Sequence, residues 1–368
     1  MVQVKAKRDE ILEPLSAVGG IIERRHTLPI LSNVLIEQGS GELGFLATDI
    51  EIQITAHAAI GEHGEARAVT VGARKLLDIL RALPEGSDVS LQQQDKRLLV
   101  KAGKSRFSLQ TLPAEDFPRL AAPAGDSARF SVAQKALRHL LGMVQYAMAQ
   151  QDIRYYLNGL LMVVEDRRLK LVATDGHRLA FAAMAVESEV PRQEVIVPRK
   201  TVIELGKLLS DSEDPVEIEL SGAQAAFRFS GIELVSKLVD GKFPDYARVI
   251  PTEHKNALRI EREVLRQALL RAAILSNEKF RGVRWVLTDG SLKIVSSNAE
   301  QEEAQEEMDV NYKGEALDIG FNVNYLLDVL NNVSGVEVEC LFGDASSSTL
   351  FQFESEPEFR YVVMPMRI

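Results

Sequence analysis

The sequence predicts an α+β protein made of three repeated domains, each a set of antiparallel strands with two helices. Three observations carry this. Thr48-Asp49 recurs as Thr174-Asp175, 126 positions on, and Phe117-Pro118 recurs as Phe243-Pro244 at the same offset. "LLDIL" at 76–80 aligns with "VIELG" at 202–206, again 126 apart, and returns as "LLDVL" at 326–330. The order of hydrophobic periods is the same in each third: helix, strands, helix, strands. So long a period indicates repeated domains, not a solenoid of short repeats, and places them at 1–126, 127–252 and 253–368. A chain of 368 residues is long enough for two or three cores.

Each unit opens on a helical pattern: "RDEILEPLSAVGGIIE", "VAQKALRHLLGMVQYAMA" and "REVLRQALLRAAILS". Alternating strands follow, marked by Leu169, Leu171 and Ala173 in the second unit and by Leu292 and Ile294 in the third. The second helices are "ARKLLDILRAL", "RKTVIELGKLL" and "VNYLLDVLNNV". Val216, Ile218 and Leu220, Phe227 and Phe229, and Val336, Val338 and Cys340 mark the closing strands. Gly-Ser, Asp-Gly and Pro-Glu-Gly punctuate the turns. Antiparallel strands segregated from helices define the α+β class.

Hydrophobic content of 46% and charged content of 26% are those of a soluble globular protein. No apolar run approaches the roughly 20 residues that span a bilayer, and "MVQVKAKRDEILEPL" has no apolar signal-peptide core. The single cysteine, Cys340, cannot form an internal disulfide and reads as a buried strand thiol, which fits a reducing cytoplasm.

Net charge is −10, but it is unevenly spread. Segments 71–83, 131–151, 197–209 and 262–275 each carry +2, and segments 8–25 and 321–334 each carry −1. The six helical segments thus total +6 and the remainder −16. Two readings fit: ordinary exposed helix cations, or a helix-lined basic surface that attracts phosphates without reading bases.

Catalytic signatures are missing. There is no phosphate loop, nucleophile elbow, H-E-x-x-H pair or C-x-x-C, and the six histidines lack metal-ligand spacing. No cofactor or metal is expected. The densest chemistry is "LVATDGHRLA", with Thr174, Asp175, His177 and Arg178. An Asp-His pair can orient a general base, but no nucleophile accompanies it. The first copy keeps Thr48-Asp49 and has Ile50 and Glu51 in place of Gly176 and His177. The shared aspartate is therefore expected to cap a turn after a strand. Three other features have plain readings. "AEQEEAQEEMD" (299–309) reads as a solvated face. Tyr155-Tyr156 reads as half-buried packing at a strand start. "YVVMPMRI" reads either as a last edge strand or as an adaptable Met-rich site for several partners.

Longer stretches are more specific. "TLPILSN" (27–33), "SRFSLQTLPAEDFP" (105–118), "MAQQDIRYYLNG" (148–159), "VATDGHRLA" (172–180) and "VIVPRK" (195–200) fall in the first two units. "SKLVDGKFPDY" (236–246), "AILSNEKFRGVR" (273–284), "EQEEAQEE" (300–307), "IGFNVNYLLDVL" (319–330) and "YVVMPMRI" (361–368) continue to the end. With them the chain resembles the β-subunit family of bacterial DNA polymerase III, the replicative sliding clamps.

The resemblance implies the DNA clamp fold, a head-to-tail homodimer forming a ring of six domains, and no catalytic activity. It implies double-stranded and primed DNA as a partner. Further partners are the polymerase III catalytic subunit, a clamp loader, and other polymerases and repair proteins carrying clamp-binding peptides. DNA contacts fall on Arg25, Arg74, Gln151, Tyr155 and Tyr156, with Arg199 and Lys200. A cleft for partner peptides falls on Leu157, Thr174, Gly176, His177, Arg178 and Leu179, with Pro244, Arg248, Val249 and Ser348. The tail residues Val362, Val363, Met364, Pro365, Met366 and Arg367 complete it, and "GHRL" is expected to supply a polar rim. The dimer contact falls on Lys104, Arg106, Phe107 and Leu109 on one side and on Ile274, Leu275, Glu300, Glu303 and Glu306 on the other. An adaptor ring for which DNA is incidental, and an enzyme using Asp175 and His177, are the competing readings.

Overall fold

The computed structural model describes every residue except Met1, 24–27, Ser40, 61–65 and 122–126. Each third of the chain runs strand, helix, four strands, helix, three strands. The first comprises β1 (Gln3–Lys7), α1 (Arg8–Gly19), β2 (Asn33–Gly39), β3 (Glu42–Thr48), β4 (Ile52–Ala59), β5 (Arg67–Gly72), α2 (Ala73–Ala82), β6 (Asp88–Gln94), β7 (Arg97–Ala102) and β8 (Ser105–Leu112). The second comprises β9 (Ala128–Ala133), α3 (Gln134–Val144), β10 (Gly159–Glu165), β11 (Arg168–Thr174), β12 (Arg178–Ala185), β13 (Gln193–Pro198), α4 (Arg199–Leu208), β14 (Pro215–Leu220), β15 (Gln224–Phe229) and β16 (Ile232–Lys237). The third comprises β17 (Asn256–Glu261), α5 (Arg262–Ala273), β18 (Gly282–Thr288), β19 (Ser291–Ser297), β20 (Glu303–Asp309), β21 (Leu317–Asn322), α6 (Val323–Asn332), β22 (Glu337–Phe342), β23 (Thr349–Gln352) and β24 (Phe359–Val363).

The helices form where one apolar face can be buried. α2 buries Ala73, Leu76, Leu77 and Leu80, and α6 buries Val323, Leu326, Leu327 and Leu330, both at three- and four-residue spacing. Two helices are shorter than their sequence patterns. α1 stops at the Gly19-Gly20 pair, and α3 stops at Val144, where the backbone tightens into a 3-10 turn over Gln145–Ala147. Glycine loses most conformational freedom on entering a helix, and Met148 is extended, so neither helix continues.

By contacts the chain forms two compact units, 1–135 with 203–238, and 136–202 with 239–368. The first contains a twelve-stranded sheet in the order β1-β6-β7-β8-β5-β2-β3-β4-β16-β15-β14-β9. The second contains an eight-stranded sheet, β13-β10-β11-β12-β24-β23-β22-β17, and a four-stranded one, β20-β19-β18-β21.

The same junction occurs in both units. The fourth strand of one repeat pairs antiparallel with the last strand of the next: β4 with β16, from Ile52↔Ser236 to Ala56↔Ile232, and β12 with β24, from Arg178↔Val363 to Ala182↔Phe359. Two strands occupying these places lack the junction. Over Ser105–Gln110 β8 pairs only with β7, and β20 pairs only with β19, among the described residues. β24 is not an edge strand: it pairs with β12 on one side and β23 on the other, and from Met364 the chain leaves the sheet.

Candidate functional site

The Thr-Asp repeat makes the same turn twice. Thr174 Oγ1 donates to Arg178 O (2.6 Å) and accepts from Gly176 N (3.1 Å), while Asp175 Oδ1 accepts from His177 N and Arg178 N. In the first repeat Thr48 and Asp49 make the equivalent four bonds to Ile52 O, Ile50 N, Glu51 N and Ile52 N. Asp175 is thus bound to backbone as scaffold, as expected from the repeat. In the third repeat Asn298 takes its place and accepts from Glu302 N.

What the second repeat adds is a largely enclosed arginine. The Arg178 side chain is 9% exposed. Its guanidinium donates to Asp175 Oδ2 (3.2 Å), to Asp328 of α6, and to Tyr146 O (2.6 Å), and lies 4.4 Å from the Tyr325 ring centroid. Burial alone would weaken its charge, but Tyr361 and Asp328 outweigh that and hold its pKa above the ordinary value. Burial likewise raises the pKa values of Tyr146, Tyr325 and Tyr361. Arg178 is therefore enclosed by groups of two repeats instead of standing on a rim.

Strand alternation then turns Leu179 to the opposite face of the sheet. There it joins a cluster with Leu157, Val172, Phe243, Leu350 and Val362, against which Tyr156, Tyr246 and Ile250 pack half-buried. Gly176, His177, Pro244, Arg248 and Val249 are exposed, Val249 by 41% and Met364 by 48%. Thr174 is buried in its turn and Ser348 is half-buried just before β23. Val363 is buried within β24, while Pro365 and Met366 are half-buried and Arg367 is exposed. Of the residues expected in the cleft, Leu157, Leu179 and Val362 thus share one apolar floor, and Met364 N donates to His177 O.

Sequence reasoning missed the clasp beside it. Arg154 donates to both oxygens of Asp152 (3.0 and 2.8 Å) and to Asp175 O (3.2 Å), with its guanidinium over Gly176. That hydrogen bonding brings the Asp152 pKa down to about 2. The Asp-x-Arg spacing was the available signal. The clasp holds the loop carrying Gln151, Tyr155 and Tyr156. Gln151 is exposed with φ +56°, Tyr155 is 57% exposed, and Tyr156 meets it edge-on. Both tyrosines lie in a 3-10 turn over Tyr155–Leu157, not at a strand start, because Asn158 bonds back to Asp152 and delays β10.

Of the other residues expected at DNA, Arg25 lies outside the described residues. Arg74 is exposed on α2 and donates to Ile22 O (3.3 Å). Arg199 donates to Met148 O (3.2 Å), and burial, then Arg178, lower its pKa. Lys200 is half-buried. Several helix cations are paired within the chain, Arg266 with Glu263 and Arg271 with Glu306 (both 2.6 Å).

The residues expected at a dimer contact sit on the two open strands and beside them. In β8 Arg106 is exposed while Phe107 and Leu109 are half-buried, and Lys104 lies in the β7–β8 turn. Ile274 is 76% exposed after α5, with Leu275 half-buried. Glu300 and Glu303 are exposed, but Glu306 already binds Arg271, which lowers its pKa.

Comparison with known proteins gives a single answer. Models of the N-terminal, central and C-terminal domains of the DNA polymerase III β subunit match residues 2–121, 131–245 and 247–367. The β sliding clamp of Pseudomonas putida is 46% identical over 363 residues, 98% of this chain and 99% of that one. The crystal structure of the DNA polymerase III β subunit of Pseudomonas aeruginosa superposes with a TM-score of 0.95 at 44% identity, covering 100% of both chains. A sliding clamp of the same organism bound to griselimycin gives 0.96 at 45%, covering 100% of this chain and 99% of that one. On fold, on three successive domains and on full-length identity, the chain belongs to the β-subunit family of bacterial DNA polymerase III, the β sliding clamps.

Proposed function

We propose that two copies of this chain close head to tail around duplex DNA, and that the cleft over the Leu157–Leu179–Val362 floor receives short apolar peptides of the proteins it tethers. As a DNA sliding clamp the chain is a processivity factor. It keeps a polymerase at high effective concentration near the primer end and supplies no chemistry of its own. The domains run 1–126, 127–252 and 253–368.

One observation carries the assembly. The strand junction present within both units is missing at β8 and at β20, so pairing those strands between copies completes the pattern. Such a contact is heterologous and makes a closed ring only when its rotation closes. Its register follows from equivalent pairs. The β7–β8 and β15–β16 hairpins both close with two residues, and Thr48 and Ser297 end their strands opposite Gln53 and Glu303. Ile54 faces Leu234 and Thr55 faces Glu233 in β4–β16. Carried over, Phe107 of one copy faces Ala304 of the other, Arg106 faces Gln305, and Glu303 lies diagonal to Arg106. Opposite charge there sets partner and register more than affinity.

DNA is held through Arg25, Arg74, Arg199 and Lys200 on phosphates and through Gln151, Tyr155 and Tyr156 on single strands. Phosphate contacts carry no sequence information, so the clamp slides. Stacking on Tyr155, the more exposed ring, suits bases of any identity. The replicative polymerase, the clamp loader and repair proteins compete for the cleft in the cytoplasm, at modest affinity per peptide.

Retention on DNA tests this directly. The protein loaded on a nicked circle is expected to stay, and to run off once the circle is cut. Equal retention on both forms would refute encirclement. Deleting residues 364–368 is expected to abolish partner binding while sedimentation still gives a dimer. His177→Ala is expected to remove no turnover, since the clamp has none.

A further inference from the structure

The last residues of the chain cross the four-stranded sheet at two glycines, Gly320 of β21 and Gly282 of β18. Beyond β24, Met364 N donates to His177 O and Met366 N to Gly320 O, each at 2.9 Å. Pro365 between them has no donor and a fixed φ. Gly320 lies within β21 opposite Arg284, and Gly282 opens β18 opposite Asn322. Both point to the face of the sheet away from the buried Trp285, Ile319 and Phe321.

A Cβ at Gly320 would stand 2.4 Å from Met366 O and 2.8 Å from Ile368 Cδ1. At Gly282 it would stand 3.3 Å from Ile368 Cδ1 and 3.7 Å from Met366 Cε. Neither glycine has positive φ, so the backbone does not require glycine at either place. Glycine inside a strand weakens it and marks close approach of another chain segment. Here the segment is the tail.

We propose that Gly282 and Gly320 are positioning residues for partner binding, a bare seat that straps the tail across β18 and β21 and so sets the methionine wall of the cleft. This rests on reading the cleft as a partner-peptide site. The seat holds the tail at Gly320 O while His177 O holds it at the other end. Met364 is then presented to the peptide from a fixed backbone, which lowers the ordering cost of binding.

The test measures fluorescence anisotropy of a labelled synthetic peptide carrying the clamp-binding segment of a DNA polymerase III catalytic subunit. The proteins are the full chain, Gly320→Ala, Gly282→Ala, a chain ending at Pro365, and Gly320→Ala in that shortened chain. Gly320→Ala is expected to bind roughly tenfold more weakly through loss of one hydrogen bond and its apolar contact. Gly282→Ala is expected to lose less, because Ile368 can give at 3.3 Å. In the shortened chain Gly320→Ala is expected to add nothing, since the residues that it displaces are gone. Parent-like binding by Gly320→Ala, or an equal loss in the full and shortened chains, overturns the seat.

Amide exchange followed by mass spectrometry reads the seat with no ligand present. The tail of Gly320→Ala is expected to exchange faster at an unchanged melting temperature, and unchanged exchange also overturns the proposal. Val249→Asp separates the two readings, because peptide binding that survives it refutes the cleft, whatever the tail does.

Discussion

Asp49 and Asp175 show how far one residue can be read from a repeat. Asp175 looks like half of a catalytic pair until its counterpart, which lacks the histidine, is seen to make the same turn bonds. Removing either leaves two backbone donors without their carboxylate. Asp49→Ala is expected to cost about 1–2 kcal/mol in urea denaturation, and Asp175→Ala more, because Arg178 loses a partner as well. Exposed His177→Ala should stay within about 0.5 kcal/mol of the parent. Most of the Arg178 cage was illegible, because its partners other than Asp175 lie 32, 150 and 183 positions away, on a turn, a helix and a strand. No local pattern links them. The Asp152–Arg154 clasp carries a pH signature. The folded pKa of Asp152 is depressed, so its contribution is complete above the ordinary carboxylate value of 3.8 and is lost as pH falls through about 2. Protection of the Arg154 amide, followed by hydrogen exchange, is expected to stay level from pH 7 to 5 and to fall only in that acid window.

At the scale of elements, helices and most strands were legible because amphipathic period and burial coincide. Leu76 and Leu80 of α2 and Leu326 and Leu330 of α6 are both core and pattern. Helix ends were less so: the α3 pattern continues past Val144, and only the tertiary path of Met148 stops the helix. Which strand stays open could not be read either. β8 and β16 both follow a two-residue hairpin turn, and what separates them is whether another strand lies alongside. Open edges invite pairing, and the proposed pairing of β8 with β20 aligns Glu303 diagonal to Arg106. Phe107→Asp in β8 puts a carboxylate at the centre of the expected contact. It is expected to shift sedimentation from dimer to monomer at micromolar protein while leaving the circular dichroism spectrum unchanged.

For the whole molecule, three copies of one plan were visible in a few offsets, because duplication preserves turn chemistry and helix faces. The proposed cleft occurs at one junction of the pattern. There β12 meets β24 and the chain then leaves the sheet as a Met-bearing tail, whereas the β4–β16 junction has no such tail. The tail's seat on Gly282 and Gly320 escaped the sequence, since glycine in a strand announces close approach but not what approaches.

The two open edges are also chemically unlike, one basic and one acidic, and each copy carries one of each. Damage can therefore be divided between molecules. A copy with only β8 disabled still offers a sound β20, and a copy with only β20 disabled still offers a sound β8. If β8 pairs with β20 as proposed, neither variant pairs with itself, yet an equimolar mixture should form a dimer held by one junction and gaping at the other. Light scattering would show its doubled mass. On nicked circles it should need no loader to get on, and it should fail to remain.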